Sequence, residues 1–580
     1  MASWRSLRRD ALARRLGALP LALLLACGQG GADWVFRNGT VFTADGRPPE
    51  RRAVAVAEGR IAYVGEEAGV ARFVGPRTRS VDLAGGLLLP GFVDAHVHML
   101  EGGATLDACN LSGVRDEAGT LEAIARYAAS HPDAAWIAGS GWALSAFPDA
   151  NPRKELLDRI VPDRPVFLIA EDGHSAWANS RALAAARIDR TTPDPPRGRI
   201  ERSGGRRPAD ATDFGEPSGT LREAALLPVQ ALAFDIGPLA ALRGLRRAVA
   251  QANQVGITSF VEARATVPAY DWAYRLLDAA GLLHARVLLS LWLDPERGDD
   301  EQLAELAARR QHDFTRHVRA GAVKLFVDGV AESRTAYLLE PYQGSGDRGT
   351  PNFAPDRLAD LATRLDRDGF QLHFHAIGDA AVREALDAVA AARQRNGAGG
   401  ARHQIAHLQL VDPADVPRFA ALGVFADVQA LWAFPGDYVT QLDVPALGAA
   451  RSQRMYPIGS LARAHAPLAA GSDWPVSSMD PLAAIQVALT RSDPSRPDGA
   501  VLGAEQRTDL ATMLAAYTIG GARLMNLEGE TGSIAVGRSA DLVVLDRDLF
   551  AIAPEEIAKA KVVLTLFEGR PVFGARSGAN

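Results

Sequence analysis

The stretch GFVDAHVHML, residues 91–100, sets two histidines two apart in a run otherwise rich in Val, Phe and Ala. A β-strand sends alternate side chains to opposite faces. Phe92, Asp94, His96 and His98 therefore share one face, and Val93, Ala95 and Val97 the other. Neighbouring imidazoles with an acid two residues upstream suit a metal site with a supporting carboxylate. They suit equally a pair of core histidines bonded to backbone carbonyls, and the rest of the chain must decide.

Four more residues carry the same kind of chemistry. Lys324 lies inside GAVKLFVDG, among apolar neighbours. A buried ammonium is costly and tends to lose its proton, unless its head reaches the barrel mouth or pairs with Asp328. His375 in HFHAIGD, His407 in HQIAHLQL and Asp473 in AAGSDWP each close a strand-like run. His373 and His403 share faces with His375 and His407 but stand earlier in their strands, which suits a structural or supporting place.

These residues need a scaffold that gathers strand ends. The middle of the chain alternates strands with amphipathic helices such as APDRLADLATRLDRDG, which ends in Gly369 as helices commonly do. Counting GFVDAHVH first, the strands continue with GITSFVEA, ARVLLSLWLD, GAVKLFVDG, FQLHFHAIGD, RHQIAHLQL, GVFADVQA and PLAAGSD. Eight strands is the number for an α/β chain folded as a (β/α)8 TIM-like barrel, whose chemistry sits at the C-terminal strand ends. Four of the chain's 12 histidines stand at such ends, together with a lysine and an acid, which core packing does not explain. A βα unit takes roughly 30 residues, so the span between the first two strands leaves a large insertion after strand 1, at about 105–240.

Both ends of the chain have another texture: short β-rich runs punctuated by Asn-Gly, Asp-Gly, Glu-Gly and Gly-Gly. Neither end holds enough strands for a sheet of its own. The expectation is one small composite β-sandwich domain, residues 28–88 with 528–580, flanking a barrel at 89–527.

At 580 residues, 47% hydrophobic and 23% charged, with a net charge of −6, the composition is that of a globular protein. No basic stripe exists, so a nucleic-acid partner is not expected. Residues 1–27 have a basic start, a short apolar run and Ala26-Cys27, the layout of a lipoprotein-type signal peptide. The expectation is an exported bacterial protein, periplasmic or held to the membrane only through a lipid on Cys27. Cys109 would then stand alone, leaving no disulfide framework.

GFVDAHVH, the lysine of VKLFVDGVAESRTA, HFHAIGD, HQIAHLQLVDP, GSDWPV and the closing GSIAVGRSADLVVLD together resemble the amidohydrolase superfamily. More narrowly they resemble the branch that includes N-substituted formamide deformylase, as do GSGW and EDGHSAWANSRAL in the insertion. The resemblance runs from about Trp34 to Phe573. It implies that His96, His98 and Asp473 bind one metal, His375 and His407 a second, and that Lys324 bridges them as a carbamate. Ala406 departs from the pattern, since many relatives carry Glu there, which weakens any transfer of substrate detail.

The chemistry implied is hydrolysis of an amide or N-substituted formamide-like C–N bond in a small molecule. A water between two divalent ions is a strong nucleophile near neutral pH. Asp473 would take its proton and pass it to the leaving nitrogen. Zinc suits so many histidines best, although manganese, iron or nickel would also bind. His174 is the expected donor to the substrate carbonyl oxygen, with Trp142, Arg334, Trp432 and Trp474 as further substrate-binding candidates. A homodimer is compatible with all of this. The same scaffold serves cyclic amidases, esterases and mononuclear deaminases, and could survive as an inactive lipid-anchored binding protein. The bridging lysine argues against a mononuclear site, and the intact ligand set against decay.

Overall fold

The computed structural model describes residues 31–204, 211–234, 237–265, 268–312, 315–397 and 400–574. The signal-peptide residues and Cys27 lie outside the described residues. At the centre is a parallel eight-stranded sheet. Its strands are β1 (Phe92–Val97), β2 (Ile257–Ala265), β3 (Arg286–Trp292), β4 (Val318–Phe326), β5 (Gln371–Ala376), β6 (Gln404–His407), β7 (Phe425–Val428) and β8 (Leu468–Ala470). They follow one another in sequence order from β1 to β8. The barrel closes just beyond β8, where the Asp473 amide donates to His96 O (2.7 Å) and the His98 amide to Trp474 O (2.8 Å). Gly471 permits this closure, because a Cβ there would lie 2.5 Å from the His96 amide nitrogen.

The connecting helices follow from their apolar spacing. In Pro355–Arg367, Leu358, Leu361, Ala362 and Leu365 recur at helical period and are all buried, and Pro355 opens the first turn. The chain leaves that helix through Gly369 at φ +80°.

Two further bodies flank the barrel. Between β1 and β2 lies a six-stranded mixed sheet with strand order 198–202, 217–223, 175–178, 166–170, 137–142 and 109–110. It has its own apolar core, with Trp142, Phe147 and Trp177 at its centre. The helices on either side of it, Met99–Thr105 and Pro238–Gln254, meet backbone to backbone at Gly103 and Gly244. At the other side, strands from both chain ends combine: Leu87–Pro90 pairs antiparallel with Leu542–Leu545. Phe36, Val54, Ile61 and Leu88 from the N-terminal part share one core with Leu542, Val544 and Leu566 from the C-terminal part. Among the described residues no single helix is long and apolar enough to cross a membrane.

Candidate metal centre and active site

The barrel register sets the height of each functional side chain. Lys324 on β4 stands level with His373 on β5, Phe326 level with His375, and Ala376 level with His407 on β6. His96 and His98 descend from the end of β1, and Asp473 turns in from the segment after β8. The Asp473 carboxylate lies 3.1 Å from His98 Nε2, 3.5 Å from His96 Nε2 and 3.9 Å from His407 Nδ1. His407 is in ring contact with both His96 (centroids 4.7 Å apart) and His375 (4.5 Å). Lys324 Nζ is 3.1 Å from His96 Nε2. His375 turns its Nε2 to Gly329 O, at 3.1 Å. Two of these residues sit in left-handed backbone, His407 at φ 78° and Asp473 at φ 54°. Such strain is held in place by surrounding structure and clusters at functional sites.

Burial dominates the electrostatics. It drives the imidazoles of His96, His375 and His407 well below their usual pKa, and the positive charge of Lys324 pushes the same way. Burial likewise brings Lys324 down to about 7, against the pull of Asp473 and Asp427. The imidazoles of His96, His375 and His407 are thus neutral, the protonation state that binds a divalent cation. Asp473 Oδ1 and His407 Nδ1 are buried yet make no hydrogen bond among the described residues. Unsatisfied buried lone pairs are costly, and a cation between them would satisfy both. His96, His407 and Asp473 offer ligand atoms all within 4.8 Å of one another, and so do His96, His373 and Asp427. The donor set fits a metal.

The amidohydrolase family profile matches residues 79–573, most of the chain. The chain belongs to the amidohydrolase family. It is a hydrolase acting on carbon–nitrogen bonds, as that family is. Over 559 residues it is 30% identical to Protein LONG AFTER FAR-RED 3 of Arabidopsis thaliana, covering 93% of this chain and 92% of the relative. It is 29% identical to an N-substituted formamide deformylase of Arthrobacter pascens, covering 93% and 97% of the two chains. The fold is shared with a metal-dependent hydrolase of Pyrococcus horikoshii (TM-score 0.69, 24% identity, 90% and 99% covered).

Around this amidohydrolase's cluster stands a buried polar layer, of which sequence reasoning singled out Asp94 and His373 but not Asp427 or Glu262. Asp427 on β7 is fully buried, 3.6 Å from His96 Nδ1, and accepts from Gln404 Nε2 (2.9 Å). His373 Nε2 is 2.9 Å from the same His96 Nδ1, so His96 is held from beneath. The signal for Asp427 was there to find: an acid alone in the apolar strand GVFADVQA. Glu262 on β2 is another; it accepts from the Leu100 amide (3.2 Å) and the Tyr274 hydroxyl, and burial raises it to about 7. Asp328 is not a partner of Lys324: it accepts the amides of Tyr337 (2.9 Å), Ile377 (3.0 Å) and Gly378 (2.9 Å). Asp94 ties β1 to the segment after β8, accepting from Ser472 N at 3.0 Å and His96 N at 3.1 Å. His403 binds Asp366 (3.0 Å) and the Leu372 amide (3.1 Å), away from the cluster.

The substrate candidates divide. Trp432 stacks on His407, ring planes 4° apart and centroids 5.4 Å apart. Trp474 lies over Gly102, where any Cβ would meet the indole at 2.2 Å. His174 comes from the insertion to the barrel mouth, its ring centroid 5.4 Å from that of His375. Burial works against its charged form, but Glu223, with Asp172 and Glu332 adding to it, holds the pKa up to about 9. Trp142 is elsewhere: fully buried in the insertion core, it donates its indole N–H to Leu168 O at 2.9 Å. Arg334 is exposed on the loop after β4, at φ 56°.

Proposed function

We propose that the protein hydrolyses the C–N bond of a small amide, of the N-substituted formamide kind, at a centre of two divalent metal ions. His96, His98 and Asp473 would hold one ion, His375 and His407 the other, with Lys324 as a carbamate between them. The observation that carries this reading is the convergence of three histidines, two from the end of β1 and one from β6, on one buried carboxylate, Asp473, within 3.9 Å. Bound there, divalent cations, zinc by donor type, would lower the pKa of a water and polarise the substrate carbonyl.

Each residue has a task of its own. Asp473 accepts the proton of the attacking water and returns it to the leaving nitrogen. His174 donates from the barrel mouth to the carbonyl oxygen, where negative charge develops. Trp432 and Trp474 form apolar walls. The depressed pKa of Lys324 keeps a useful fraction of its amine neutral near pH 7. A neutral amine attacks carbon dioxide at carbon, forms an N–C bond and releases a proton, which leaves an anionic two-oxygen group.

The test is a hydrolysis screen across N-formyl, N-acyl and cyclic amides and simple esters, with metal content measured on the same protein. About two metals per chain and turnover of an open-chain amide support the reading. One metal with turnover of cyclic or amidine substrates only, or no turnover at all, would sink it.

A further inference from the structure

His174 and Glu223 lie 49 residues apart in sequence and come together at one end of the insertion sheet. His174 follows the strand Val166–Ala170 in a turn held by Asp172, whose carboxylate accepts the His174 amide (2.9 Å) and the Ser175 hydroxyl (2.9 Å). Glu223 ends the strand Pro217–Glu223, and its amide donates to His174 O at 2.8 Å. The side chains meet as well: His174 Nδ1 is 2.8 Å from Glu223 Oε2. The other Glu223 oxygen, Oε1, accepts the Thr335 hydroxyl at 2.7 Å.

Thr335 belongs to the barrel, on the loop after β4, so Glu223 joins the insertion to the catalytic scaffold. That loop is fitted to the carboxylate. A Cβ on Gly329 would lie 2.1 Å from Thr335 Oγ1 and 2.5 Å from Glu223 Oε1, so only glycine lets the three meet. The carbonyl of the same Gly329 accepts from His375 Nε2 at 3.1 Å. Glu223 itself sits at φ 50°, ψ −128°, a region a non-glycine residue enters only under constraint. Its neighbour Arg222 is buried and anchored to Ser175 Oγ (2.8 Å) and Ala150 O (2.7 Å), which fixes the strand end.

We propose that Glu223, backed by Thr335, is a positioning residue: it takes Nδ1 of His174 and so presents Nε2 to the substrate beside His375. The two ring nitrogens lie on different edges of the imidazole, so a carboxylate that binds Nδ1 leaves Nε2 as the edge facing the mouth. Without it the ring would turn about its χ angles, and its donor would leave the carbonyl oxygen. This inference rests on the amide-hydrolase reading above.

Three variants test it: Glu223→Ala, Glu223→Gln and Thr335→Val, each assayed for kcat, KM, metal content and the 15N–1H spectrum of the His174 ring. Glu223→Ala is expected to lower kcat about 100-fold, the scale of an ångström's misplacement, with KM nearly unchanged and wild-type metal content. Glu223→Gln should recover most of the loss near pH 6, where the ring is protonated, and less as the pH rises, because the amide keeps the orientation but not the charge that holds the His174 pKa up. Its amide oxygen can accept Nδ1–H while its NH2 donates to Thr335 Oγ1. Thr335→Val should fall between. The bonded Nδ1–H resonance should persist in wild type and Glu223→Gln and vanish in Glu223→Ala.

A Glu223→Ala enzyme with kcat within twofold of wild type would overturn the proposal. So would loss of metal in that variant, because Glu223 would then be a strut for the metal centre. Near pH 6, where the ring carries both protons, Glu223→Gln as impaired as Glu223→Ala, with the Nδ1–H bond intact, would also overturn it. A wild type that shows the bonded Nδ1–H but hydrolyses no amide would count against the reaction, not against the orientation.

Discussion

Replacing Lys324 by methionine should stabilise the metal-free protein while destroying the enzyme. Lys324 is fully buried, with Nζ 3.1 Å from His96 Nε2 and 4.9 Å from the Phe326 ring centroid. Burial lowers its pKa from 10.5 to about 7. A folded base with a depressed pKa binds fewer protons than the unfolded chain between those two values. Stability therefore rises with pH across that window and is lowest below it. At about 1.4 kcal/mol per pKa unit, the penalty is about 4 kcal/mol near pH 6–7 and about 2 kcal/mol near pH 9. Methionine has nearly the same length, no charge and no such penalty. In chelator-treated protein, Lys324→Met should raise the melting temperature by roughly 3 °C at pH 6.5, given an unfolding entropy of about 2.1 cal/mol/K per residue. The gain should shrink by about half at pH 9. The same variant should hold no bridging metal and show no amide hydrolysis. A variant that melts below wild type at pH 6.5, or whose gain is independent of pH, would refute the view that Lys324 carries a desolvation cost. The lysine would then reach solvent, and its role as a carbamate bridge would fall with it.

Lys324→Ala should lose metal and activity together, and short carboxylic acids at high concentration should restore part of both by filling the vacated space; metal analysis with and without acid reads this directly. Gly471→Ala would drive a Cβ to within 2.5 Å of the His96 amide nitrogen, prising the barrel open at its closure. A cost of about 1–3 kcal/mol is expected, with loss of metal, both visible in melting and metal content. Arg286, buried at the start of β3 and so at the other end of the strands from the metal cluster, pairs with Asp541 (2.8 Å), Glu530 (3.1 Å) and Glu568 (3.2 Å). Arg286→Ala should cost about 3–5 kcal/mol by leaving the buried Asp541 uncompensated, yet leave kcat of the folded fraction as it was. Cys27→Ser should move the protein from membranes to the soluble fraction in the native host; wild type found soluble, unlipidated and cut elsewhere would end the lipoprotein proposal.

The eight barrel strands were readable because burial imposes a local pattern. A run such as GFVDAHVH needs only its own alternation to reveal which side chains share a face. A polar group in an apolar strand is costly enough to announce itself, which is how Lys324 stood out, and Asp427 could have been found the same way. The gathering of His375, His407 and Asp473 followed from strand ends meeting at one mouth, a property of barrels in general. Which atom meets which did not follow. That His96 Nδ1 rests on His373 and Asp427 while Nε2 faces Lys324 depends on the stagger of β1, β5 and β7. That Glu223 holds His174, or that Trp142 belongs to the insertion core, depends on how a separate sheet folds and docks. Periodicity along a chain records only whether a side chain is buried; its partner is chosen by the closure of backbone segments tens to hundreds of residues apart.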